Sequence, residues 1–165
     1  MKQLLGILVA VCCLMACATT KTKEQKEAEA RQTFGQITDS VNNRSFTIEL
    51  SYVIPRKLQP RFLTSDYSVR VQGDSITSFL PYFGVAYRAD LNNHYRSPLD
   101  FEGLITDYNA EWKKKKKMCV KLKTKNNMDH ISYSMDIFTN GTVTLDVIPT
   151  EREPITFTGR LILNE

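Results

Sequence analysis

The sequence predicts a mainly β domain behind one N-terminal helix, and three observations carry that reading. Apolar residues recur at every second position from Phe46 onward. Two tight-turn signals, Gly73-Asp74 and Asn140-Gly141, punctuate the alternation. Before Ser45 the period is helical instead, with Phe34, Ile37 and Val41 at i, i+3 and i+7 on one face. About eight antiparallel strands in succession, joined by short connections, form either a sandwich or an up-and-down barrel, and the pattern leaves both open.

The elements follow in order. The helical period runs to about Val41, and Asn42-Asn43 ends it. Phe46, Ile48, Leu50, Tyr52 and Ile54 alternate with polar residues as far as Pro55, marking a half-buried strand. Tyr67-Val69-Val71, then Gly73-Asp74, then Ile76 to Leu80 reads as a hairpin. Glycine at the first turn position suits type II′ and pairs Val71 with Ile76. Phe101 to about Tyr108, Met118 to Thr124, Ile131 to Phe138, Val143 to Ile148 and Ile155 to Leu163 complete the set.

Register decides the turn at Asn140-Gly141. A two-residue loop there would pair Ile137 with Thr144 and set an apolar face against a polar one. A three-residue loop, Thr139 to Gly141 with the glycine left-handed, pairs Ile137 with Val143, Met135 with Leu145 and Tyr133 with Val147. A slip of one residue flips every side chain, so the three-residue loop is predicted.

The N-terminus carries an address. Met1-Lys2-Gln3 is a short positive start, and Leu4 to Leu14 is nearly all apolar. At ~1.5 Å per residue that run spans about half of a ~30 Å hydrocarbon core, so it reads as a signal peptide. Leu14-Met15-Ala16-Cys17 resembles the lipobox of bacterial lipoproteins, in which the cysteine is acylated and residues 1–16 are removed. Cys12 and Cys13 are not followed by polar sequence, whereas Cys17 is. Three acyl chains at ~0.8 kcal/mol per buried methylene far exceed what stable anchoring needs. Residues 17–33 then form a lipidated tether, rich in Thr, Lys, Glu and Ala, whose second half merges into the helix. Residues 34–165 form a single β domain. Beyond Cys17 the one remaining cysteine is Cys119, so no intrachain disulfide can form in an oxidising compartment.

The runs FTIELSYVIP, LTSDYSVRVQGDSITSFLPYFGVAYRA, DFEGLITDYN and IFTNGTVTLDVIPTEREPITFTGRL resemble one family closely. It is the Bacteroidetes lipoproteins of domain-of-unknown-function family 4251, and the block SFLPYFGVAYRAD is the most specific part of the likeness. The resemblance covers about Phe34 to Leu163. It implies a cell-envelope location and Cys17 as the lipid site, and it implies no activity. The segment after Cys17 lacks the acidic run of surface-exported lipoproteins, which favours the periplasmic face; the outer membrane is the expected anchor site, with the inner membrane left open. Asp39-Ser40-Val41 and Asp74-Ser75-Ile76 fit the Asp-Ser/Thr-apolar pattern of O-glycosylation in Bacteroidetes envelope proteins, making Ser40 and Ser75 candidate acceptors.

Catalytic signals are missing. There is no G-x-S-x-G, no H-E-x-x-H, no phosphate-binding glycine loop and no C-x-x-C after the signal. His94 and His130 are too few and too far apart to predict a metal site, and no cofactor is indicated. The net charge of +4 hides a polarised chain. Glu111 to Lys125 holds eight lysines and one acid, whereas the rest of Phe34–Glu165 holds nine basic and fourteen acidic residues. That run is a solvated turn and edge, or else a contact for a polyanion or anionic lipid. It lacks the interleaved aromatics of a nucleic-acid site. Cys119 shares strand parity with Lys121 and Lys123, an outward position among cations that would lower its pKa.

Pro81 to Pro98 is the longest stretch without alternation and carries Tyr82, Phe83, Tyr87, Arg88 and Tyr95. A long loop of Tyr and Arg has the composition of a recognition surface, or caps one end of the core. Phe83 is expected to face inward, and Tyr87, Arg88 and Tyr95 outward. The first reading is a non-enzymatic, lipid-anchored envelope module, structural or binding another envelope protein. The alternative is a lipocalin-like carrier of a small apolar ligand, and an unrecognised enzyme comes third.

Overall fold

The computed structural model describes residues 22–88, 96–113, 117–126 and 129–163. Helix α1 (Lys23–Asn42) comes first. Its start is a capping box: Gln25 N–H donates to Thr22 Oγ1 at 3.4 Å and Thr22 N–H to Gln25 Oε1 at 3.0 Å. Most of the segment expected to be a tether is therefore the exposed first half of this helix. On the second half, Ile37 and Val41 are fully buried, and Phe34 stacks on Trp112 with ring centroids 4.2 Å apart. The helix ends at Asn42, as the Asn-Asn pair predicts, and Arg44 follows in the left-handed region with φ 51°. Arg44 is held there by an ion pair with Asp74 and by its guanidinium lying 4.7 Å over the Tyr108 ring.

Eight strands follow: β1 (Ser45–Pro55), β2 (Arg61–Gln72), β3 (Ser75–Phe79), β4 (Asp100–Lys113), β5 (Lys117–Asn126), β6 (Asp129–Phe138), β7 (Thr142–Pro149) and β8 (Ile155–Ile162). Each pairs antiparallel with the next, and β8 returns to β1. The sheet is thus a closed up-and-down barrel, and the sandwich is ruled out.

Both predicted turns have the predicted register. Val71 pairs with Ile76 across a two-residue loop, and Gly73 has φ +59° while Asp74 stays at negative φ, as type II′ requires. Ile137, Met135 and Tyr133 pair with Val143, Leu145 and Val147, with Gly141 at φ +80° and its N–H donating to Phe138 O at 2.9 Å. The sequence pattern did not disclose two irregularities. Against β8, β1 bulges at Ser51, where against β2 it is β2 that carries the extra residues between Phe62 and Tyr67, and β4 bulges at Thr106, between Ile105 and Asp107.

The inward rows form one core in which Tyr133, Phe46, Phe157 and Met135 are fully buried. At its centre Tyr133 Oη donates to Ser78 Oγ at 3.0 Å, and Ser78 Oγ to Leu99 O at 2.7 Å, whereas the buried Trp112 indole N–H has no partner. The up-and-down order gives the barrel two distinct ends. Helix α1 closes the near end, where Tyr108 Oη donates to Val41 O at 2.7 Å. Among the described residues, the far end is built from the β1–β2 and β7–β8 connections and the described parts of the β3–β4 connection.

Candidate binding face

The loop after β3 is fastened to the β7–β8 connection from Tyr82 to Tyr87. Tyr82 Oη donates to the carbonyls of Glu153 (3.0 Å) and Val85 (3.2 Å). Burial pushes the Tyr82 phenol up to about 12, with the Arg152 guanidinium opposing. Ala86 and Arg152 form an isolated antiparallel bridge: Tyr87 N–H donates to Glu151 O at 2.8 Å and Glu153 N–H to Val85 O at 3.0 Å.

Glu153 joins three connections at once. Its Oε1 lies 2.6 Å from Lys57 Nζ of the β1–β2 connection, and its Oε2 accepts from Val85 N–H at 3.3 Å. The hydrogen bond from Lys57 holds this carboxyl below its ordinary range, against the opposing effect of burial. Asp129 fastens the same connection from beneath. One of its oxygens accepts from Thr150 N–H, Thr150 Oγ1 and Glu151 N–H, and the other from Arg152 Nε at 3.2 Å. Finally, the Arg61 guanidinium sits 4.7 Å over the Phe83 ring.

The five loop residues therefore separate. Tyr82 and Phe83 are half-buried against the core and serve as the loop's scaffold. Tyr87 is 62 % exposed, and Arg88 is exposed beside it. Tyr95 lies outside the described residues, as do Cys17 and His94. Val85, 51 % exposed, joins Tyr87 on the outer side.

Sequence reasoning missed the other half of this face. The β1–β2 connection presents Leu58 at 50 % exposure, and Phe62 at 79 % packs edge-on against Tyr52 with centroids 5.0 Å apart. Arg56, Lys57 and Arg61 are exposed around them. The available signal was PRKLQPRF itself: two prolines enclosing basic and apolar residues with no acid.

The remaining candidates are tied down or stand apart. Lys117 pairs with Asp136, Lys123 with Asp107 at 3.2 Å and Lys113 with Glu111 at 3.4 Å, so neighbouring acids offset three of the five described lysines of the run. Residues 114–116 lie outside the described chain. The expectation for Cys119 is reversed. It does share a face with Lys121, but it is 6 % exposed and donates to Asp136 Oδ1 at 2.9 Å. Burial first, then the hydrogen bond to Asp136, raises the thiol pKa, outweighing the nearby lysines. Ser75 is exposed at the start of β3, and Ser40 is half-buried on α1. Among the described residues no group of three His, Cys, Asp or Glu could hold a metal, and no helix is long and apolar enough to cross a membrane. A groove of about 330 Å³ lies in the wall where β1 and β2 lose register, between Ser51, Asp66 and Arg160.

Comparison with known proteins follows the same architecture. The family model described as Domain of unknown function (DUF4251) matches residues 28–161. The crystal structure of a DUF4251 family protein from Bacteroides eggerthii DSM 20697 matches with a TM-score of 0.59 at 15 % identity, over 80 % of this chain and 88 % of that chain. At that identity the likeness shows the fold. No curated protein matches this chain.

Proposed function

This chain belongs to the DUF4251 family, and we propose that it is a non-enzymatic binding module of the bacterial cell envelope, held by a lipid on Cys17, with the far end of the barrel as its binding face. The observation that carries the reading is the exposure of Tyr87 on a loop whose backbone is fastened at Ala86 to Arg152. A fastened loop has already lost its conformational entropy, so a partner meets a preorganised aromatic. A lipocalin-like carrier would instead hold its ligand inside the barrel, where Tyr133, Phe46 and Phe157 belong to one continuous core. The lipid anchor rests on the Leu14–Cys17 motif and on the likeness to envelope lipoproteins.

The test is photocrosslinking in the native bacterium, with a photoreactive residue at position 87 of the full chain. Thr77, exposed on the barrel wall, is the control. A discrete adduct from position 87 that position 77 does not give supports the reading. No adduct, or the same adducts from both positions, overturns it.

A further inference from the structure

The far end says what kind of partner it fits. From Tyr52 to Ser65 and from Pro81 to Arg88 the chain has four basic residues and no Asp or Glu. The exposed apolar groups here, Leu58 of the β1–β2 connection with Phe62 at the start of β2 on one side and Val85 and Tyr87 on the other, flank the Arg61–Phe83 contact. Lys57 is already paired with Glu153, which leaves Arg56, Arg61 and Arg88 as the outward cations. The acids of the β7–β8 side are largely engaged as well, Glu153 by Lys57 and Asp129 by Arg152, with Glu151 half-exposed.

Resting on the reading above, we infer that the two connections form one continuous docking surface for a protein partner whose contact patch is acidic around an apolar centre. Exposed aromatics with arginine are the residue types that dominate protein–protein hot spots. The guanidinium fork matches carboxylates two bonds at a time, and a partner's like charges would be repelled. The lysine-rich surface, the better match for diffuse polyanions or anionic lipid, is on β5, whose pairs with Asp136 and Asp107 lie on the barrel wall. The fastening at Glu153 and Asp129 keeps the apolar groups displayed.

The experiment places the photoreactive residue at position 62 and, separately, at position 87 of the full chain, in envelope suspensions. The same protein adduct from both positions is expected. Arg56→Glu with Arg61→Glu should lower both yields at least about tenfold, and Arg70→Glu, on the wall of β2, should leave them unchanged. Arg56→Glu with Arg88→Glu, which keeps the Arg61–Phe83 contact, should act alike if the first pair lowers the melting temperature. An adduct from position 87 with none from position 62, or yields indifferent to both charge reversals, overturns this inference and leaves the reading above standing. A lipid or glycan adduct at position 62 also overturns it. Silence at both positions overturns both.

Discussion

Gly159 of β8 lies against the backbone of Glu49 in β1. A Cβ added there would overlap the Glu49 carbonyl oxygen and sit 2.8 Å from the carbonyl carbon. The cause is the bulge at Ser51, beside which Gly159 pairs with Leu50 and Thr158 with Tyr52. The two strands approach too closely for any side chain, so only glycine lets the barrel close at this seam. Gly159→Ala should therefore destabilise the protein by about 2–3 kcal/mol or more, since an overpacked site hard against backbone has little room to relax. Gly35→Ala is the contrast: nothing lies within 4 Å of the added Cβ, and α1 should gain about 0.5–1 kcal/mol. Urea unfolding of both variants checks the pair, and a Gly159→Ala protein as stable as Gly35→Ala would refute the close approach.

Gly141 and Gly159 mark what was legible in the sequence. Gly141 was readable because Met135, Ile137, Val143 and Leu145 agree on one register only, and that agreement demands a left-handed residue at the turn. Gly159 was not, because its reason is a neighbouring strand more than one hundred positions earlier. The bulges at Ser51 and Thr106 hid for the same reason, since alternation is a property of one strand and bulging of two. Closure into a barrel was likewise a matter of β1 meeting β8. At the binding face, Tyr87 and Arg88 were visible by composition, whereas the Glu153 anchor that displays them comes from a different connection. Phe62 passed unnoticed because the alternation of β2 is readable only from Tyr67, whereas the strand begins at Arg61 and Phe62 meets Tyr52 across the irregular part of the pairing.

Asp136 governs the reactivity of Cys119. Burial works to raise the Asp136 pKa, but the Cys119 S–H and the Lys117 ammonium outweigh it and hold the carboxyl ionised. That carboxylate in turn helps to keep the thiol protonated, while Lys117 and Lys113 pull the other way. Asp136→Asn removes the carboxylate and leaves the lysines, so the thiol pKa should fall. Alkylation at neutral pH should quicken, because the thiolate fraction rises as the thiol pKa falls. Iodoacetamide kinetics on the folded protein give the answer, and an unchanged rate would mean that burial alone protects the thiol.

The Lys57–Glu153 pair makes the far end acid-sensitive. Because the folded Glu153 pKa is depressed below its ordinary 4.5, its contribution is complete above that value and is lost as the pH falls through the depressed one. Lys57→Met should therefore weaken the protein near pH 7, and the difference from wild type should shrink toward nothing in acid. Unfolding curves at pH 7 and at about pH 3 measure it. A Lys57→Met deficit that persists undiminished in acid would point to lost packing of the lysine stem instead.

The lipid anchor is tested at Cys17. Anchoring through acylation predicts that Cys17→Ala releases the protein from the membrane fraction and abolishes palmitate labelling. A variant that still sediments with membranes and still takes up label would remove the anchor from the proposal.

Phe83 and Tyr87, four positions apart on one loop, should respond oppositely to truncation. Phe83 packs on the core and carries the Arg61 guanidinium on its ring face, so Phe83→Ala empties a half-filled site and ends a cation–π contact. A fully buried phenylalanine costs about 3–5 kcal/mol to remove, and a half-buried one should cost about 1.5–3 kcal/mol. Tyr87 contributes its backbone N–H to Glu151 O, a bond that alanine keeps, while its ring projects outward. Tyr87→Ala should thus shift stability by no more than about 0.5 kcal/mol. Its effect should instead fall on binding: an adduct obtained from a photoreactive residue at position 62 should weaken when Tyr87 is alanine. If Tyr87→Ala unfolds as readily as Phe83→Ala, the ring is part of the core's lid, and the face loses the aromatic on which its reading depends.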